Sequence, residues 1–412
     1  MKPYCIVPFV HMFNNSTLET SGICCVSREY HKDTADNNLQ KLWSSDYYKD
    51  IRQRMLDSNS ELPECKACIE KEKTNQKSDR QYHFDRFAET YLEFNIETGN
   101  QYNHPIDFDI RPGNLCNLSC RMCSPINSSQ LKKEFDKHNS DFLDLYKQTD
   151  DLYTYKFLNK VKDGCGWDTP ENLDYIKQCL FSNQVNQIKF LGGEPTLMSS
   201  VLEFMDFMID NQLLNVEMFF TTNCTNDNKQ FLDKLAKFNR VKFHFSLDGS
   251  GKTVEYIRHP LNWKKVSSLV EKYTMITKPP KYARTNVECN TTIQALNISN
   301  LRDYMYWLKH TNEKLEKAIE VNFVMLTNPH QLSYKVLPLD FRNKYLEQLL
   351  NDPIMQWEVT EYSNLKGCIE QMLNDTTVKD TEHFRLFTKT FDKIRNQHIK
   401  DHIPELASIV YQ

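Results

Sequence analysis

Short apolar runs recur through the chain from residue 105 onward: Ile106–Arg111, Gln187–Leu191, Val216–Thr221, Val241–Leu247, Val287–Ile293 and Ile319–Met325. Their lengths and bounding residues predict strands. Helical spacing of apolar positions lies between them, at Val201–Asn211, Asn228–Phe238, Trp263–Thr277 and Asn300–Thr311. Strands alternating with helices predict right-handed βαβ units and a parallel sheet. Six units are two short of a complete eight-stranded barrel, so the expected α/β fold is a partial (β/α)6, TIM-like barrel. The long interval between the first two strands leaves room for extra helices across residues 128–180. Residues 337–412 read as helical and carry no recognisable chemistry. Upstream, an apolar segment spans Cys5–Val10, and an amphipathic stretch runs from Leu39 to Leu56 with Leu42, Tyr47, Ile51 and Met55 on its apolar side. Glu70–Arg80 is rich in Lys, Glu, Asn and Gln and reads as a solvated helix end or linker. The pattern divides the chain into a small N-terminal domain with its linker (1–95), a core (105–330) and a helical C-terminal extension (331–412).

Composition narrows the function classes. A chain of 412 residues predicts two or three domains. With 40% hydrophobic and 26% charged residues it can bury cores. No apolar run approaches the roughly 18 residues that span a bilayer, so no membrane partner is expected. A formal net charge of −4 argues against nucleic-acid binding. The apolar Cys5–Val10 segment is too short and poorly flanked for a secretory signal, which predicts a cytoplasmic protein. The 13 cysteines are odd in number and clustered. In a reducing compartment that pattern reads as metal or redox chemistry rather than disulfides.

The densest cysteine motif is Cys116-x3-Cys120-x2-Cys123, after the first strand of the core. Three thiolates with no fourth Cys or His close by do not make a zinc ribbon. They can hold three irons of a [4Fe–4S] cube and leave the fourth open to an exogenous ligand. Lys189-Phe190-Leu191-Gly192-Gly193-Glu194-Pro195 follows at the next strand end. Its glycines let backbone approach a ligand closely, and Glu194 offers a carboxylate to an ammonium group. Taken together, these motifs resemble the radical S-adenosylmethionine (radical SAM) superfamily. The resemblance implies that Met122 lies near the adenine, where aromatic residues are commoner. It implies that Gly192, Gly193 and Glu194 bind the methionine amino group. It further implies that Ser246, in Phe245-Ser246-Leu247-Asp248-Gly249, holds the ribose or carboxylate, and that Arg258 reaches the carboxylate. Thr221-Thr222-Asn223-Cys224 resembles a family stretch that usually ends in glycine.

The N-terminal region carries Cys5, Cys24-Cys25 and Cys65-x2-Cys68. With the Trp43…Tyr47-Tyr48…Ile51-Arg52 helix and Leu62-Pro63-Glu64-Cys65, it resembles the auxiliary-cluster module called a twitch domain, a relative of the SPASM domain. Five cysteines compete for four positions. The resemblance favours Cys5, Cys24, Cys65 and Cys68 over Cys25 as ligands of an auxiliary [4Fe–4S] cluster. A structural zinc site satisfies the same thiolates. Cys165, Cys179, Cys289 and Cys368 read as packing residues, and no histidines show paired ligand spacing.

What the resemblance implies about activity is reductive cleavage of S-adenosylmethionine to methionine and a 5′-deoxyadenosyl radical, which abstracts hydrogen from a substrate. An electron donor such as flavodoxin or ferredoxin is implied as a partner. Two oxidoreductase readings stand: oxidation or crosslinking of a peptide side chain, with electron transfer through the auxiliary cluster, and dehydrogenation of a small molecule. A non-catalytic metal-binding interaction protein is the reading outside this class.

Overall fold

The structure, a computed structural model, describes residues 4–13, 22–27, 38–57, 62–73, 77–88, 103–161, 169–182, 184–277 and 286–411. Among the described residues, seven strands follow one another in chain order in a single sheet. They are β1 (His11–Phe13), β2 (Asp107–Ile110), β3 (Gln187–Phe190), β4 (Glu217–Thr222), β5 (Val241–Ser246), β6 (Val287–Ile293) and β7 (Glu320–Met325). The registered pairs β1–β2, β2–β3, β5–β6 and β6–β7 are all parallel. Six of the strands coincide with the six apolar runs read from the sequence.

The chain divides into two compact units: residues 1–113 with 164–219, and residues 114–163 with 220–412. In the first unit, β1 is a strand that the sequence pattern does not predict. It pairs with β2 in parallel, with Met12 opposite Phe108, and adds a charged contact at its start. His11 Nδ1 lies 2.6 Å from Asp107 Oδ2, and Arg86 Nη2 donates to Asp107 Oδ1 at 2.7 Å. Burial alone would push the Asp107 carboxyl up, but Arg86 and His11 outweigh it and hold the group well below its usual range. Met12, on the opposite side of β1, is fully buried.

In the second unit, β5 and β6 alternate strictly between buried and half-buried positions. Phe243 and Phe245 pack beneath the Trp263–Ile276 helix, with Phe243 and Tyr273 ring centroids 4.9 Å apart. Burying each such ring contributes about 1.5–3 kcal/mol. The other face of the same strands presents Lys242, His244, Ser246, Glu288 and Asn290. The expected extra helices are Ser129–Lys137, Asn139–Gln148 and Leu152–Leu158 in this unit and Pro170–Leu180 in the first.

The N-terminal stretches are helical, as their spacing predicts. The amphipathic Leu39–Leu56 stretch is two helices, Leu39–Trp43 and Asp46–Leu56, because the Ser45 hydroxyl caps the second by accepting from Tyr48 N. Glu70–Arg80 holds the helix end expected of it, since the Lys66–Lys73 helix stops inside it, and an Asp79–Arg86 helix begins at its far side with a reciprocal Ser78/Gln81 capping box. Among the described residues, no helix is long and apolar enough to cross a membrane.

Candidate cluster and cofactor sites

In the second unit, the Cys116–Cys123 loop is fixed by its backbone before any ligand is considered. Ser119 N donates to His259 O at 2.7 Å and Arg121 N to Ile257 O at 2.8 Å. Cys123 N donates to Cys120 O at 3.0 Å, and Ser129 Oγ accepts from Cys116 N at 3.1 Å. Ser128 donates its hydroxyl to Leu118 O while accepting from Leu131 N, so the cap of the following helix also folds the loop back.

Two of the three sulfurs face N–H donors. Arg258 Nη1 lies 3.8 Å from Cys120 Sγ, and Asn223 Nδ2 lies 3.9 Å from Cys116 Sγ. Burial raises the Cys120 thiol despite the opposing charge of Arg258. Cys123 is pushed up to about 12 by burial and by the neighbouring Cys120 and Cys116 sulfurs. Three thiols gathered in one loop, costly to ionise alone and partly met by N–H donors, form a donor set that fits a thiolate-held iron–sulfur cluster. Arg258, read from the sequence as a carboxylate-binding group, is 8% exposed and pairs with Asp248 Oδ2 at 2.7 Å. Asp248 is itself oriented by Thr292 N, which donates to its Oδ1 at 2.8 Å. Met122 is half-buried in the loop, and Ser246 is half-buried at the end of β5, in register with Asn290. Cys224 adopts a left-handed backbone with φ 57°, so the turn that glycine usually makes is formed here by a cysteine.

The C-terminal extension backs this loop, a role for which the sequence carries no signal. Arg121, between Cys120 and Met122, is 1% exposed. Its Nη2 donates to Asp392 Oδ1 at 2.8 Å, and its guanidinium lies 3.7 Å from the Tyr256 ring centroid. Arg395, on the same Thr381–Arg395 helix, donates to Ser119 O at 2.6 Å and pairs with Glu134 at 2.9 Å. On the polar side of β5–β7, Asn322 donates to Asn290 Oδ1 at 3.3 Å, and the Asn290 amide lies 2.8 Å from His244 Nδ1. Glu288 stands 3.6 Å from His244 Nε2. Neither His244 nor Glu288 is singled out by spacing, because they meet only through strand register.

In the first unit, Gly192 has φ +107°, and a Cβ there would lie 2.6 Å from the Gly113 carbonyl oxygen. Gly193 N donates to that same oxygen at 3.0 Å. The first glycine is therefore required by the fold of its own loop, whatever ligand approaches it. Gly192→Ala is expected to cost about 1–3 kcal/mol, read as a lower denaturant midpoint; an unchanged midpoint would contradict this packing. Glu194 is fully buried, and its Oε1 accepts from the Thr196 hydroxyl at 2.6 Å and from Thr196 N at 3.3 Å.

The N-terminal thiols separate into two environments. Cys5 and Cys65 lie in one buried apolar cluster, with Cys24 packed against it. Burial pushes Cys5 and Cys65 up to about 12, and Cys68 raises both further. Cys24 is raised by burial, with contributions from Cys25 and Cys5. Cys25 is exposed, and its charged neighbours are Asp109, Lys189 and Arg111. Cys24 thus shares the surroundings of Cys5, whereas Cys25 faces charged residues at the ends of β2 and β3. Arg52 braces this region by donating to Pro8 O at 2.9 Å and Trp43 O at 3.0 Å, with its guanidinium 4.1 Å from the Trp43 ring. Cys179, Cys289 and Cys368 are buried, and Cys165 lies outside the described residues.

Among solved structures, SuiB of Streptococcus suis bound to S-adenosylmethionine is similar at 14% identity and a TM-score of 0.40, covering 86% of this chain and 67% of that one. SuiB bound to the precursor peptide SuiA gives 14% identity and a TM-score of 0.39, covering 86% and 68%. The radical S-adenosylmethionine methyltransferase TsrM of Kitasatospora setae, with cobalamin and a [4Fe–4S] cluster bound, gives 9% identity and a TM-score of 0.35, covering 53% and 34%. No curated protein matches the chain. A model of the Radical SAM superfamily matches residues 110–321, more than half of the sequence and the whole interval from the end of β2 to the start of β7. With that match, the chain belongs to the radical SAM superfamily.

Proposed function

We propose that this protein is a radical SAM oxidoreductase that abstracts hydrogen from a peptide side chain and passes an electron to an auxiliary [4Fe–4S] cluster. The observation that carries the reading is the Cys116–Cys123 loop, with N–H donors set on two of its three sulfurs. Cys116, Cys120 and Cys123 would hold the family's cluster, which when bound supplies the electron that cleaves S-adenosylmethionine to methionine and a 5′-deoxyadenosyl radical. Arg258 and Asn223 stabilise charge on the Cys120 and Cys116 sulfurs. Gly192, Gly193 and Glu194 would receive the methionine amino group, Ser246 the ribose or carboxylate, and Met122 the adenine. The side-chain amides of Asn290 and Asn322, half-buried beside Ser246, suit a substrate rich in amide groups, which favours a peptide over a plain hydrocarbon or small acid.

Cys5, Cys24, Cys65 and Cys68 would hold the second cluster and fill its protein positions. A filled cluster conducts electrons rather than binding substrate. Anaerobic reconstitution tests both sites: about eight irons and eight sulfides per chain are expected, with 5′-deoxyadenosine formed on reduction in the presence of S-adenosylmethionine. About four irons with one zinc would overturn the auxiliary cluster. Cys24→Ala is expected to lose about four irons and Cys25→Ala to keep about eight; the reverse result would exchange the two ligands. Mass spectrometry of a candidate peptide, showing loss of two hydrogens or a crosslink, tests the substrate class.

A further inference from the structure

We propose that His330, Asp380 and His383 form a third metal site, built without thiols, for a divalent first-row transition cation of the zinc type. One donor atom from each of the three residues lies within 4.8 Å of the other two. His330 opens the His330–Leu332 turn that follows β7, and the other two residues begin the Thr381–Arg395 helix. The His330 and His383 ring centroids are 5.9 Å apart, and His383 Nδ1 is 4.0 Å from Asp380 Oδ1.

Helix capping does not explain Asp380. An aspartate at this position ordinarily accepts from the first-turn N–H groups, yet the Asp380 side chain makes no capping bond and its backbone is left-handed at φ 54°. A non-glycine residue held there costs about 1–3 kcal/mol. His383 Nδ1 is buried and has no hydrogen-bond partner. A bound cation would satisfy both groups.

The donor set selects the class of ion. Two imidazoles and one carboxylate suit zinc, cobalt or nickel, whereas magnesium and calcium prefer oxygen ligands throughout. Zinc bonds of about 2.0–2.2 Å require the donors to close by a small side-chain rotation. Three protein ligands leave a position open. His330 and Asp380 also line a cavity of about 340 Å³ whose wall includes Met325, Leu326 and Thr327 at the end of β7. That volume lies within the range of small-ligand pockets, so the open position has room for water or an oxygen ligand. The ion would pin the start of the helix whose far end carries Asp392 and Arg395 against the cysteine loop.

The test uses the full chain with its iron–sulfur sites reconstituted, so that the cysteines are occupied, and titrates cobalt(II) anaerobically. The expected result is one cobalt per chain with weak d–d absorption and no thiolate charge-transfer band. Affinity should fall more than about ten-fold in His330→Ala, His383→Ala and the conservative Asp380→Asn. Far-ultraviolet circular dichroism of the cobalt-free variants confirms that they remain folded. Absence of uptake, a thiolate band, or equal affinity in His383→Ala and Asp380→Asn would overturn the site.

Discussion

Replacing Cys120 by alanine is expected to reduce 5′-deoxyadenosine formation to the enzyme-free background and to lower the iron content from about eight to about four per chain. Cys120 is the central cysteine of the loop and the one of the three that is buried. Its backbone position does not depend on the sulfur, because Ser119 N and Arg121 N on either side are bonded to His259 O and Ile257 O. The substitution removes a donor without removing the scaffold. Arg258 loses its sulfur contact but keeps Asp248 at 2.7 Å, so no buried cation is left unpaired. The variant should therefore unfold at a denaturant midpoint close to that of the wild type and differ in chemistry alone. Product formation equal to the wild type would remove Cys120 from the proposed site. Iron falling to zero would mean that the two cysteine groups are not independent.

The loop was legible because its chemistry is local: three cysteines within eight residues and a glycine pair at the next strand end need no tertiary information. The six core strands were legible for the same reason, since each is a continuous apolar or alternating run. Strand β1 was not, because three residues are too few to show a pattern and its pairing partner, β2, lies 96 residues away at the His11–Asp107 contact. Arg258 shows a subtler limit. The family resemblance implied a ligand carboxylate as its partner, and only the fold shows the protein groups it also meets, Asp248 and the Cys120 sulfur. The surroundings of Cys24 and Cys25 illustrate the same point: adjacent residues of one type differ only in what the distant chain places beside each. His330 and His383 have no motif spacing at all and meet only after β7 and the last long helix have packed.

Asp392→Ala is expected to destabilise the protein by about 3–5 kcal/mol, the usual cost of removing one partner from a buried ion pair. The carboxylate is a junction rather than a single contact. Its Oδ1 accepts from Arg121 Nη2 at 2.8 Å and Tyr256 OH at 2.6 Å, and its Oδ2 from Ile399 N at 3.0 Å and Tyr411 OH at 3.1 Å. Without it, the Arg121 guanidinium stays buried against the Tyr256 ring with only the neutral Gln397 Oε1 as a side-chain acceptor, at 3.2 Å. The loss should appear as a lower urea midpoint with an unchanged slope. A double replacement, Arg121→Met with Asp392→Leu, removes both charges and should recover most of the stability, because well-packed apolar residues often substitute for a buried pair without loss. Stability and function would then part. The double variant lacks the bond that ties the Thr381–Arg395 helix to the residue between Cys120 and Met122, so it should release iron faster during anaerobic dilution even when fully folded. Iron retention equal to the wild type would show that the helix supports the fold without positioning the cysteine loop, leaving Arg395 at Ser119 O as the remaining link between them.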